Sequence, residues 1–172
     1  NVYDVIPDKQ NNGWYLPLGA EEVGRIDAKT GAITRFKTPT KGSGPRRGMM
    51  DAEERLWFGE NRGDKIGMFD TRTQQFKEWQ PPTLGQRARD PAEAPDGTIW
   101  WAGEFANLIG SLNPATGEMK EYPLPRGASP HAVDIDGKGN VWYAGTKNGT
   151  IGTLDPKTGK TLHDKACINC HA

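Results

Sequence analysis

The chain has 172 residues, and its 22 basic side chains are balanced by 22 acidic ones. A net charge of zero leaves no electrostatic footprint for nucleic acid or a polyanionic surface, and no apolar run approaches the ~20 residues needed to span a bilayer. The length suffices for one ordinary domain with its own core.

From Trp14 onward the chain repeats itself. Trp14-Tyr15, Leu56-Trp57-Phe58, Ile99-Trp100-Trp101 and Val141-Trp142-Tyr143 open successive units as short aromatic strands. Asp96-Gly97 and Gly139-Asn140, ahead of two of them, are hairpin signals. Ala102 and Ala144 read as single insertions relative to Gly59, which leaves the alignment of the tryptophans open by one residue.

Each aromatic strand is followed by a second one: Val23-Gly24-Arg25-Ile26-Asp27, Ile66-Gly67-Met68-Phe69-Asp70, Ile109-Gly110-Ser111-Leu112-Asn113 and Ile151-Gly152-Thr153-Leu154-Asp155. These lie 43, 43 and 42 residues apart. A turn of the kind Asn113-Pro114-Ala115-Thr116-Gly117 comes next, in which Pro presets φ and Gly accepts a positive φ. A further strand then carries Phe36, Trp79 or Tyr122, whereas the fourth unit has Asp164 at that place.

Several short strands in a period near 43 describe one four-stranded β-propeller blade per repeat. No segment sustains a 3.6-residue apolar period, so the expected class is all-β, with the repeated aromatics packed between blades. Four blades fit into the chain, whereas propellers of this type have six or seven. The expectation is therefore part of a longer protein, with missing blades before Asn1 or another chain completing the propeller. Blades are assigned to 1–162 and a separate segment to 163–172.

That last segment holds Cys167-Ile168-Asn169-Cys170-His171, which contains the only two cysteines. Two thiols at this spacing can each form a thioether to a vinyl group of one haem, and the adjacent histidine then ligates the iron. The same thiols could form a disulfide, half a zinc site or a redox dithiol. Zinc wants four ligands and the rest of the chain offers only His131 and His163, while a redox dithiol wants a βαβ setting that this Gly- and Pro-rich chain does not suggest. Covalent haem c fits best, with His171 as proximal ligand and a cytochrome domain continuing past Ala172. Upstream candidates for a distal ligand are His131, His163, Met49, Met50, Met68 and Met119. Covalent attachment follows export, so the expected location is periplasmic or otherwise exported.

The repeat resembles the virginiamycin B (streptogramin) lyase family. The closest stretch is Pro130-His131-Ala132-Val133, Asp136-Gly137, Val141-Trp142-Tyr143 and Ile151-Gly152-Thr153-Leu154-Asp155-Pro156. Trp101-Ala102-Gly103-Glu104 and Glu121-Tyr122-Pro123-Leu124-Pro125 resemble two further family signatures. The resemblance implies a seven-bladed propeller whose axial His and Glu side chains, with Mg²⁺, open a cyclic depsipeptide by elimination. Eleven residues before the four repeat tryptophans stand Tyr3, Arg46, Arg89 and His131, so only the last repeat keeps the family's Pro-His pair. Glu60 and Glu104 match the family glutamates, and Thr146 stands in the fourth repeat. His131, Glu60 and Glu104 are thus the catalytic candidates. Arg46 and Arg89, with Arg47, Arg87 and His131, suggest an anion-binding funnel instead. The functional expectation is an exported c-type haem protein whose propeller serves as a platform for electron transfer with a redox partner. The alternatives are an enzyme working on the propeller axis and a non-catalytic binding propeller.

Overall fold

The computed structural model describes residues 1–125 and 127–164. Sixteen strands make four four-stranded antiparallel sheets, each in chain order, and no helix occurs among the described residues. The first sheet holds β1 (Val2–Pro7), β2 (Gly13–Pro17), β3 (Glu22–Ile26) and β4 (Ile33–Lys37). The second holds β5 (Pro45–Met50), β6 (Arg55–Glu60), β7 (Lys65–Asp70) and β8 (Gln75–Trp79). The third holds β9 (Arg89–Glu93), β10 (Ile99–Gly103), β11 (Leu108–Leu112) and β12 (Met119–Pro123). The fourth holds β13 (Pro130–Ile135), β14 (Val141–Gly145), β15 (Thr150–Leu154) and β16 (Thr161–Asp164). The expected boundary at 162 falls inside β16, which pairs with β15 as far as Asp164 opposite Ile151.

Two compact units divide the chain. The first comprises Asn1–Pro81 and Arg87–Asp90, the second Pro82–Gln86 and Pro91 onward. In the first unit Trp14, Leu16 and Val23 pack with Leu56, Phe58 and Phe69 of the next sheet. The Trp14, Phe36 and Phe69 rings lie 4.7 to 5.8 Å apart, an aromatic cluster that adds to the burial of each ring. In the second unit Trp100, Ala102 and Ile109 pack with Val133, Val141, Tyr143 and Leu154. Each unit therefore repeats one arrangement, the tryptophan face of one sheet on the apolar face of the next. Trp142 departs from the expected burial: it is 40% exposed where Trp57 is fully buried, because no described sheet covers its face.

The register explains the Ile-Gly signature. Tyr15 lies opposite Gly24, Phe58 opposite Gly67, Trp101 opposite Gly110 and Tyr143 opposite Gly152. A Cβ on any of these glycines would clash with the ring across from it, 1.9 to 2.4 Å from its nearest atom, so the aromatic lies on bare backbone. The register also corrects the alignment. Gly59, Ala102 and Ala144 each face the isoleucine that opens the next strand (Ile66, Ile109 and Ile151), so there are no insertions.

The sequence offered a further signal in the aspartate six residues before Trp14, Trp57 and Trp142. Asp8, Asp51 and Asp136 each accept the indole N–H, at 3.0, 2.7 and 3.2 Å, while tying down the hairpin that precedes the strand. In the third sheet Ala94 replaces the aspartate, and Gly97, at φ 80°, makes the turn. Asp51 is buried and accepts Glu53 N and Arg55 N on Oδ1, and Arg55 Nε and Trp57 Nε1 on Oδ2. Asp51→Ala would strand the fully buried Trp57 N–H and is expected to cost about 3 kcal/mol by urea unfolding. Glu53→Ala, whose side chain is largely exposed, is the neutral control.

Candidate functional site

The expected site residues stand at one kind of place, the start of the first strand of each sheet. Pairing slips between Val2 and Asp4 in β1, between Pro45 and Gly48 in β5, and between Pro130 and Ala132 in β13. Tyr3, Arg46 with Arg47, and His131 sit on these bulges. An extra residue there leaves the ladder and re-aims its side chain, as bulges beside functional sites do. Arg89 opens β9, next to Asp90 at φ 52°.

In the first unit Arg46 Nη2 donates to the Tyr3 hydroxyl at 2.5 Å, and its guanidinium carbon lies 4.6 Å from the centre of the Tyr3 ring. The hydrogen bond from Arg46, aided by the charges of Arg46 and Arg47, holds the Tyr3 phenol below its ordinary range against the opposing effect of burial. Arg47 Nη1 reaches Asp90 Oδ2 at 3.5 Å. Arg89 is buried, 7% exposed, whereas Arg87 is exposed and its backbone N–H donates to Asp64 Oδ1. Of the expected funnel, Arg46 and Arg47 come together on Tyr3.

Glu60 ends β6 opposite Pro45 and is closed to solvent. Its two carboxyl oxygens make no hydrogen bond, and it shares its surroundings with Glu78. Burial, then the neighbouring Glu78 charge, pushes the Glu60 carboxyl up to about 8, so it is protonated at neutral pH. Glu78 is held below its ordinary value, because hydrogen bonds from Thr40 and Lys65 outweigh its burial. Thr40 N and Oγ1 donate to Glu78 at 3.0 and 2.5 Å, and Lys65 Nζ at 3.1 Å.

The third sheet solves the same packing problem with different residues. Thr83 N and Oγ1 donate to Glu121 at 3.0 and 2.6 Å, and Gln86 Nε2 donates to it at 2.9 Å. Gln86 Oε1 accepts the Trp101 indole N–H at 2.6 Å. The corrected register pairs Glu60 with Gly103 and Ser43 with Gln86. A Cβ at Gly103 would meet Gln86 Oε1 at 2.8 Å. At the matching places the second sheet carries the buried Glu60 and Ser43. Glu104 corresponds to Asn61 and Thr146, not to Glu60, so the two expected glutamates are not equivalent positions.

His131 and Glu104 belong to the second unit, His131 on β13 and Glu104 just after β10. Among the described residues no group of three or more His, Cys, Asp or Glu side chains is placed to hold a metal ion. Cys167, Cys170 and His171 lie outside the described residues.

Known proteins supply the missing frame. The family model for the virginiamycin B lyase family matches residues 2–166. The chain belongs to the virginiamycin B lyase family. No curated protein sequence matches it. Among solved structures it is similar to a streptogramin B lyase, with 24% identity over 98% of the chain and a TM-score of 0.90. It is similar to the catalytically inactive virginiamycin B lyase of Staphylococcus aureus with quinupristin, with 24% identity over 98% of the chain and a TM-score of 0.89. Hydrazine synthase of Kuenenia stuttgartiensis follows, with 15% identity over 96% of the chain and a TM-score of 0.79. The chain spans 55%, 56% and 49% of these three structures. The four sheets are thus blades of the lyase-like propeller fold.

Proposed function

We propose that this member of the virginiamycin B lyase family is an exported c-type haem protein that uses its blades as a docking platform for electron exchange with a redox partner. The observation that carries the reading is the Cys167-Ile168-Asn169-Cys170-His171 motif in a chain with no other cysteine. Cys167 and Cys170 would each add their S–H across a vinyl group of one haem, forming two thioethers, and His171 would supply the imidazole nitrogen to iron. Bound in this way, the haem supplies one-electron redox chemistry. The rest of the chain would present and orient that centre.

The test is a visible spectrum of the protein co-expressed with a haem-maturation system, oxidised and then dithionite-reduced, with a pyridine haemochrome assay and intact mass. A c-type α-band and a mass excess of one haem, both lost in Cys167→Ser/Cys170→Ser, are expected. A colourless protein of unmodified mass overturns the reading.

Family membership favours a second reading, an enzyme acting at the first strands of the blades with His131 as base. Ring opening of quinupristin, followed by chromatography and abolished by His131→Ala, would support it. No ring opening by the intact protein would remove it.

A further inference from the structure

We propose that Tyr3, Arg46 and Arg47 form a binding site for a small carboxylate ligand on the bulged starts of β1 and β5. The site is independent of haem attachment. Three features carry it. The first is uncompensated charge. Among the described residues Arg46 makes no ion pair, its hydrogen bond goes to a neutral phenol, and its buried Nε meets no acceptor. No carboxylate among the described residues pairs with this guanidinium. Arg47, one residue on, contacts Asp90 at 3.5 Å and adds its charge at the same phenol. Two adjacent guanidiniums facing one phenol repel each other unless an anion joins them.

The second feature is donor supply. The Tyr3 oxygen accepts from Arg46, which leaves its own O–H to donate outward, and Tyr3 is 39% exposed. Cation–π contact with the Tyr3 ring holds the Arg46 plane in place and presents its planar fork rather than a mobile charge.

The third feature distinguishes the ligand. The nearby backbone donors are already used: Val5 N and Gly48 N both donate to the Asp4 carboxylate, at 3.0 and 3.1 Å. The site offers side-chain donors alone, a guanidinium edge and a hydroxyl, which suit the two coplanar oxygens of a carboxylate. A guanidinium fork also binds phosphate, but the backbone N–H groups that would complete a nest for a tetrahedral anion are occupied by Asp4.

Calorimetric titration of the full chain with succinate, and separately with inorganic phosphate, tests the proposal. Saturable succinate binding is expected, weakened about tenfold or more by Arg46→Ala, less by Tyr3→Phe, and not at all by Arg72→Ala, an exposed arginine elsewhere. Titration at 295 nm provides a second readout. Succinate should raise the ionisation pH of one tyrosine, and Tyr3→Phe should abolish that response even if Arg46→Ala folds poorly. Absence of saturable succinate binding up to about 10 mM, or unchanged affinity in both variants, overturns the site. Phosphate binding at least as tight as succinate overturns the assignment to carboxylates.

Discussion

Gly110→Ala is expected to destabilise the protein by about 3 kcal/mol, measured as a lower urea midpoint with an unchanged slope. The added Cβ would fall within the six-membered ring of Trp101, directly across the β10–β11 ladder. Trp101 is fully buried and cannot slide aside, because its indole N–H is anchored 2.6 Å from Gln86 Oε1. Moving the ring breaks that bond, and Gln86 in turn steadies Glu121, so strain passes from a single methyl group into a buried polar network. Gly137→Ala is the control: a Cβ there meets nothing within 4 Å, and the substitution is expected to be neutral or slightly stabilising. Equal effects from the two substitutions would refute the account of the Ile-Gly repeat.

Glu60→Gln is expected to leave stability nearly unchanged near pH 5 and to raise it by roughly 3–5 kcal/mol at pH 9. The folded-state value of about 8 lies above the ordinary carboxyl value of 4.5. Between those values the native protein keeps a proton that the unfolded chain releases. The contribution from Glu60 is therefore fully present below pH 4.5 and lost as pH rises through about 8. Glu78, whose value is lowered, has the opposite sign: its contribution is present above its ordinary value and lost in acid. Urea unfolding from pH 5 to 9 thus isolates Glu60. A wild-type midpoint that does not fall across this range, or one that falls equally in Glu60→Gln, would show that the buried acid is not the source.

Much of the fold was legible because the repeat writes its constraints as residue types. A glycine under every ring, an aromatic on every second strand and an Asx turn after every third are local necessities, and they survive in each unit. The fourth unit's Asp164 was correctly placed against the other units' aromatics, since Ile151 pairs with it as Ile66 pairs with Trp79. The site was less legible. Glu60 and Glu104 share a letter and a neighbourhood in sequence, yet strand pairing separates them by one register step, and one step turns a side chain to the other face. The Tyr3–Arg46 contact joins residues 43 apart through two bulges, and bulges leave no mark in composition. The aspartate–tryptophan pairs did carry a periodic signal, hidden because Ala94 breaks it once.

The exchange of Ser43 and Glu60 for Gln86 and Gly103 bears on how such repeats diverge. Gly103 cannot gain a side chain while Gln86 Oε1 stands 2.8 Å from where its Cβ would lie, so that copy is held to its own solution. Recombination between copies with a crossover inside a sheet would join halves that do not fit, while crossovers between whole sheets would preserve both partners. Blades of this protein are therefore heritable as units, and a chimera assembled from shorter pieces would inherit the mismatch at its seam.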